Sequence, residues 1–435
     1  MSKPANHNST TVAAAVAGDR PASTGTEPIR HLYVHIPFCA RICPYCAFYK
    51  ELLDRSQTNR FCQAIVRELP RHGKDRPASR PPGSRLDQSA GSPSSFYLHD
   101  SGERAISTEG AARLRPVRRH LRPSTIYFGG GTPTALTIEQ LESVLGAFHD
   151  ELDLSQLIEW TMEANPGSVS ARKAGVLRKF GVNRISLGVQ SWDNELLKLL
   201  GREHDARKAE QSFRILRTAG FSNINIDLMF GLPGQSVRQW QATLEKTVAL
   251  QPEHISTYCL TYEEDTEFFL RQSRGEFREN PDADAELFEI TMSILEAGGY
   301  EHYEISNYAR PNFSSVHNRA YWSGENYLGI GPSAFSTVGM RRWQNIPDYR
   351  EYAERVLSDQ SPIGTTENLT PAMKGTERVA LMLRTRDGVS ADLVEPFRNQ
   401  TREFVRLGLL RRSNGSFLLT RAGKSLADSV AEALV

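Results

Sequence analysis

Short apolar runs alternate with longer amphipathic stretches from His31 onward. Leu32-Tyr-Val-His-Ile36, Thr125-Ile-Tyr-Phe128, Leu157-Ile-Glu-Trp-Thr-Met-Glu163, Arg184-Ile-Ser-Leu-Gly-Val189, Ile224-Asn-Ile-Asp-Leu-Met229 and His254-Ile-Ser-Thr-Tyr-Cys-Leu260 read as strands. Between them, helical periodicity marks Asn59 to Leu69, Thr137 to Phe148 and Arg207 to Ala219. Strand and helix in strict alternation predict an α/β fold with a parallel sheet, either a partial barrel or a doubly wound sheet.

The pattern breaks in three places. The opening residues, 1–29, are rich in Ser, Thr, Ala and Gly and predict a disordered tail. Residues 72–123 or thereabouts are rich in Pro, Ser, Gly and Arg, with Arg113, Arg115, Arg118, Arg119 and Arg122 late in the run. So long a gap inside a βα unit predicts a disordered insertion, its arginines a solvated basic loop. After Leu260 a helix is expected over Asp282 to Ala297, then an aromatic- and glycine-rich stretch from Tyr300 to Trp343. Residues 30–300 therefore form the expected barrel, 301–365 an extension and 366–435 a separate C-terminal unit. In that unit Asn414-Gly415 between two apolar runs predicts a type I′ hairpin. Helices followed by a hairpin and helix predict a mostly helical, winged-helix-like domain.

Composition narrows the function classes. The chain has 435 residues and a net charge of +1, so no global field draws it to nucleic acid or a membrane surface. Five cysteines and no apolar leader point to a reducing cytoplasm.

Three of those cysteines lie in one run, His35-Ile-Pro-Phe-Cys-Ala-Arg-Ile-Cys-Pro-Tyr-Cys-Ala-Phe48, with C-x3-C-x2-C spacing. Cys39, Cys43 and Cys46 are close enough to hold one soft-metal centre. An iron–sulfur cluster usually takes four cysteines, so three leave one iron for another ligand. A structural zinc site needs a closed tetrahedron, and the nearest further donors, His35 and Cys62, complete no second pair. The other unusual residues also lie at strand ends: Gly129-Gly-Gly-Thr-Pro133 and Gln190 follow their strands, Glu163-Ala-Asn-Pro-Gly167 ends one, and Asp227 is near the end of another. In parallel sheets the functional face is at the carboxyl ends of strands, so these segments are expected to ring one mouth. Glycines there admit close backbone approach, Glu163 and Asp227 accept hydrogen bonds from hydroxyl or ammonium groups, and Arg202 matches a carboxylate.

These motifs together resemble the radical S-adenosylmethionine (SAM) superfamily from Ile29 to about Leu260. The resemblance implies a partial (βα)6 TIM-like barrel, a 4Fe–4S cluster on Cys39, Cys43 and Cys46, and SAM on the open iron. Tyr33-Val-His-Ile-Pro-Phe-Cys39, Arg184-Ile-Ser-Leu-Gly-Val-Gln190, Leu200-Gly-Arg-Glu-His204 and Asn225-Ile-Asp-Leu-Met-Phe-Gly-Leu-Pro233 are similar to the branch of oxygen-independent coproporphyrinogen III oxidase. That resemblance implies SAM contacts from Tyr33, Gly130, Gly131, Thr132, Glu163, Gln190, Arg202 and Asp227. The oxidases of the branch resemble C-x3-C-x2-C-x-C, whereas this chain has Phe48 at the last position. His317-Asn-Arg-Ala-Tyr-Trp322 is similar instead to the H-N-x-x-Y-W signature of the HemW family of haem chaperones. The family resemblance implies haem as a third cofactor, with His317 in its binding. It also implies haem-accepting apoproteins as partners, membrane cytochromes among them, and an electron donor; a homodimer stays open. The expected function is haem delivery; coproporphyrinogen oxidation and radical SAM methyl transfer are the alternatives. Cytoplasmic location is expected, with any membrane association made through a partner.

Overall fold

The computed structural model describes residues 28–69 and 121–435. The expected tail and insertion lie almost wholly outside these residues, as do Arg113, Arg115, Arg118 and Arg119; Arg122 is described and pairs with Asp153 at 2.7 Å.

Six strands, β1 (His31–Ile36), β2 (Thr125–Gly130), β3 (Glu159–Ala164), β4 (Arg184–Gln190), β5 (Ile224–Phe230) and β6 (His254–Cys259), lie side by side in chain order and parallel. Sequential order, with helices between successive strands, is barrel winding; a doubly wound sheet would reverse its order midway. The barrel is open. Residues after it build on both edges: β7 (Glu301–Glu304) and β8 (Asn307–Ala309) extend the β6 edge antiparallel, and β9 (Tyr327–Ile330) pairs parallel with β1. A meander of β10 (Phe335–Val338), β11 (Arg341–Asn345) and β12 (Ile363–Asn368) completes a 12-stranded sheet.

Alternation within the strands explains why this sheet curls. Leu32, Val34 and Ile36, then Ile126 and Phe128, Trp160 and Met162, Ile185 and Leu187, and Ile224, Ile226 and Leu228 are buried in one apolar cluster with the surrounding helices. Helix α1 (Arg55–Glu68) contributes Phe61, Ala64 and Ile65, and α2 (Ile138–Glu151) contributes Leu141, Val144, Leu145 and Phe148. The intervening residues face the other way and are polar: His31, Tyr33, His35, Thr125, Tyr127, Glu163, Ser186, Asn225, Asp227, His254 and Ser256 hydrogen-bond to neighbours on the same or the adjacent strand. Such a lined interior satisfies buried polar groups pairwise and leaves the apolar work to the outer face.

The C-terminal unit has its own core of Val379, Leu383, Val389, Val394, Leu410, Leu419 and Val430. Helix α3 (Pro371–Leu383) packs beside a three-stranded antiparallel sheet whose hairpin, Leu410–Ser413 with Ser416–Leu419, turns at Asn414 and Gly415. Both turn residues have positive φ, 47° and 79°, as a type I′ turn requires. Arg421 fastens the unit to the barrel through Glu289 and Glu296, each at 2.7 Å.

Candidate functional site

The cysteine loop springs from the carboxyl end of β1. It is closed at its root by a two-residue parallel pair, Phe38–Cys39 with Glu51–Leu52, and by the Glu51 N–H donating to the Pro37 carbonyl at 2.8 Å. The glycine turn after β2 runs against the same root: Gly131 N–H donates to the Ile36 carbonyl and Thr132 N–H to the Phe38 carbonyl, both at 2.8 Å. A Cβ on Gly131 would stand 2.5 Å from the Pro37 oxygen, so this glycine is required by the packing of two backbones. Gly130 has φ of 104° and sends its N–H to Glu163 Oε2 at 3.2 Å.

The three thiols are half-buried and form no disulfide, while Cys62 is buried and Cys259 is exposed. Cys39 Sγ lies 3.7 Å from Thr132 Oγ1, and Arg202 Nη1 donates to Cys43 Sγ at 3.5 Å. Burial pushes the Cys39 thiol up to about 11 and raises Cys46 as well, so binding of a metal centre displaces protons from both. Among the described residues, no three His, Cys, Asp or Glu side chains converge on a single metal-ion position. In a cubane each thiolate binds a different iron, so its sulfurs stand further apart than those of a tetrahedral zinc site; the donor set, three thiols with a guanidinium beside them, fits the cluster.

Arg202 is the hub of the mouth. Beyond Cys43, its other terminal nitrogen donates to the Gly188 carbonyl at 2.9 Å and to Asn165 Oδ1 at 2.5 Å. Asn165 in turn donates to Thr132 Oγ1 at 2.8 Å. A cleft of about 340 Å³ opens here, lined by Cys43, Thr132, Asn165 and Arg202 with Lys173 and Lys208. Its cationic rim suits a carboxylate-bearing ligand.

The remaining expected residues lie deeper. Tyr33 stacks on Tyr127 with ring centroids 6.2 Å apart, and the Tyr127 hydroxyl donates to Glu163 at 2.7 Å. Burial, with a smaller contribution from the Asp227 charge, lifts the Glu163 carboxyl to about 8. Asp227 sits mid-strand, not at the end of β5 as expected, because its side chain joins the lumen network by accepting from Ser186 at 3.0 Å and Asn225 at 2.7 Å. Gln190 ends β4 with φ of 67°, at a register shift that turns the chain out of the sheet. The structure thus gathers the cysteines, Thr132 and Arg202 at the mouth, and Tyr33, Glu163 and Asp227 just below it. Sequence reasoning missed Tyr127 and, in the lining of the cleft, Asn165 and His204, and it named His35 only as a metal donor. His35 bonds Tyr33 and the Tyr49 carbonyl at 3.0 Å each, and burial lowers it to about 4.

His317 is elsewhere. It lies not in an aromatic loop but on a short helix, α4 (Val316–Trp322), whose N-terminus is capped by Glu159: its carboxylate accepts from Val316 N–H at 2.9 Å, His317 N–H at 3.1 Å and Ser315 Oγ at 3.1 Å. The helix closes the starting end of the strands, opposite the cysteines. His317 is 8% exposed, its Nδ1 is 2.8 Å from Thr125 Oγ1, and burial lowers it to about 3. In this position the imidazole presents no face to a macrocycle. Tyr321, on the same helix, is exposed, whereas Trp322 is covered by Arg384 at 5.4 Å. Arg319 faces Asp387 at 3.6 Å.

Comparison with known proteins follows the same lines. Residues 109–247 match the Radical SAM superfamily model, a span that starts downstream of the three cysteines. The haem chaperone HemW of Bacillus subtilis (strain 168) is 32% identical over 413 residues, covering 92% of this chain and 98% of that protein. HemW of Lactococcus lactis subsp. lactis (strain IL1403) is 34% identical over 413 residues, covering 92% and 96%. Among solved structures, the coproporphyrinogen III oxidase HemN of Escherichia coli, a radical SAM enzyme, superposes with a TM-score of 0.72 at 21% identity over 94% of this chain and 90% of that one, a likeness of fold.

Proposed function

Since the chain belongs to the HemW haem-chaperone family, we propose that it binds haem and passes it to apoproteins, and that it carries a 4Fe–4S cluster and SAM at the mouth of its barrel. The observation that carries this reading is identity sustained over 98% of the Bacillus subtilis chaperone, mouth and C-terminal unit alike.

Cys39, Cys43 and Cys46 would hold the cluster, which when bound and reduced supplies one-electron chemistry to SAM. The chain's own residues prepare the place. Arg202 sets a positive charge against Cys43 Sγ, where a cluster-bound thiolate would stand. Thr132 and the Gly130–Gly131 backbone form the wall beside Cys39. Glu163, Asp227, Tyr33 and Gln190 supply acceptors and donors for the amino, carboxylate and ribose groups of SAM. Coproporphyrinogen oxidation is the weaker reading. Phe48 stands 71% exposed where the oxidases have a further cysteine, and a likeness of fold does not carry an activity.

Haem-accepting apoproteins, including membrane cytochromes, and an electron donor are the partners this reading calls for; nucleic acid is not among them. Among the described residues no helix is long and apolar enough to cross a membrane. We place the protein in the cytoplasm, reaching membranes through a recipient. The test is transfer: haem-loaded protein, separated from free haem, is mixed with a haem-free cytochrome. Appearance of the holo-cytochrome spectrum faster than from free haem supports the reading. Retention of haem, or transfer no faster than from solution, overturns it.

A further inference from the structure

A second cleft, of about 730 Å³, shares no lining residue with the one beside Cys43. It lies between the end of α4, the β9–β11 meander and α3 of the C-terminal unit. Its volume is within the roughly 300–1,000 Å³ usual for small-molecule sites.

Its lining is of a particular kind. Tyr321, Phe335 and Met340 are large apolar side chains left 44%, 46% and 49% exposed, and all three line it. Exposed apolar surface gathered in one concavity marks a binding site more than chance scatter. Two cations stand over it on successive turns of α3. Lys374 donates to the Gly339 carbonyl at 3.0 Å and Arg378 to the Met382 sulfur at 3.3 Å; neither has a carboxylate within 4 Å among the described residues. The acids of the cleft are already paired: Glu377 with Arg342, a lining residue too, at 2.7 Å, and Glu325 with His31 at 3.1 Å. A flat apolar ligand with two anionic arms answers both features, and Tyr321 and Met340 bring a phenol and a thioether, both known haem-iron donors.

We propose that this cleft takes the haem: its faces lie against Tyr321 and Phe335 and its propionates reach Lys374 and Arg378. The inference rests on the haem-chaperone reading and gives it a place. His317 is then a positioning residue. It anchors α4 in the barrel floor, and the chain His317–Thr125–His31–Glu325, with contacts of 2.8, 2.9 and 3.1 Å, ties that floor to the cleft wall.

Hemin titration of the full chain, followed by the Soret band, tests this. Gly375 lines the cleft, and a Cβ there meets nothing within 4 Å, so the backbone admits a side chain; Gly375→Phe adds bulk to the cleft wall and removes a helix-weakening glycine. Gly375→Phe, and Lys374→Glu with Arg378→Glu, are each expected to weaken haem binding by about tenfold or more with the melting temperature held or raised. Saturated His317→Ala keeps the wild-type Soret position even if its affinity falls. If wild type shows no saturable band, the haem reading itself falls and the cleft with it. If wild type binds while both cleft variants bind equally well, or if only His317→Ala shifts the band, the cleft assignment alone is wrong.

Discussion

Thr125 and His317 meet inside the barrel floor, hydroxyl to Nδ1 at 2.8 Å, and the same hydroxyl lies 2.9 Å from His31 Nδ1. A hydroxyl has one proton to donate. A neutral His31 that donates its Nε2–H to Glu325 has only a lone pair at Nδ1, so the hydroxyl donates to His31 and accepts from His317 Nδ1–H, and the two histidines take opposite tautomers. Removing the hydroxyl leaves a buried ring nitrogen without its partner. Thr125→Val is expected to cost about 1–3 kcal/mol in urea-induced unfolding, with Soret position on haem binding unchanged.

Acid stability follows from the same burial. His317 and His302 are lowered to about 3, and His35 and His204 to about 4, burial being the main cause for each. The unfolded chain takes up protons on these rings near pH 6.5, the folded chain only well below that. Their contribution is complete above about pH 6.5 and falls as pH drops toward 3 to 4. Urea midpoints measured from pH 7.5 to 4.5 should decline on the acid side, and less steeply in His317→Asn.

Glu163 works in the opposite sense. Its folded value, about 8, is raised from the usual 4.5, so its carboxyl favours folding while protonated. That contribution is complete below pH 4.5 and is lost as pH rises through 8. Glu163→Gln should match the wild type in stability at pH 4 and exceed it increasingly as pH rises from 4.5 to 8. If Glu163 receives the cationic groups of SAM, wild-type affinity for SAM rises between pH 7 and 8.5, and that of Glu163→Gln stays level; equilibrium binding of labelled SAM over that range reads the difference.

Arg202 separates charge from geometry. Lysine keeps the cation but not the fork that reaches Cys43, Asn165 and Gly188 together. Arg202→Lys is expected to retain iron yet bind SAM about tenfold more weakly. Cys39→Ser, Cys43→Ser and Cys46→Ser should each lose iron and acid-labile sulfide after anaerobic reconstitution. Cys62→Ser and Cys259→Ser, which do not line the cleft beside Cys43, should retain both.

Much of this was legible in the chain before its folding. The six strands and the helices around them showed as periodicity, and Asn414-Gly415 announced its hairpin, because those signals are local. The polar lumen was also within reach. His31, Tyr33 and His35, then Thr125 and Tyr127, then Asn225 and Asp227, recur at every second position opposite Leu32, Val34, Ile126 and Ile226. Attention to strand ends passed over that period, and with it Tyr127. The edge strands were another matter. Glu301–Glu304 and Phe335–Val338 gain their meaning from pairing across the sheet, which no short window contains. The burial of His317 depends on Glu159, 158 residues away, capping its helix. A sequence motif names such a residue without saying which way it faces.

Haem handling, not porphyrinogen oxidation, is the reading that these residues support. One preparation decides it: protein reconstituted anaerobically with iron and sulfide, supplied with SAM and reductant, and given hemin in one cell and coproporphyrinogen III in another. On that reading a saturable Soret band forms in the first and no substrate is consumed in the second. Steady turnover of coproporphyrinogen III, with no saturable haem band, would contradict it.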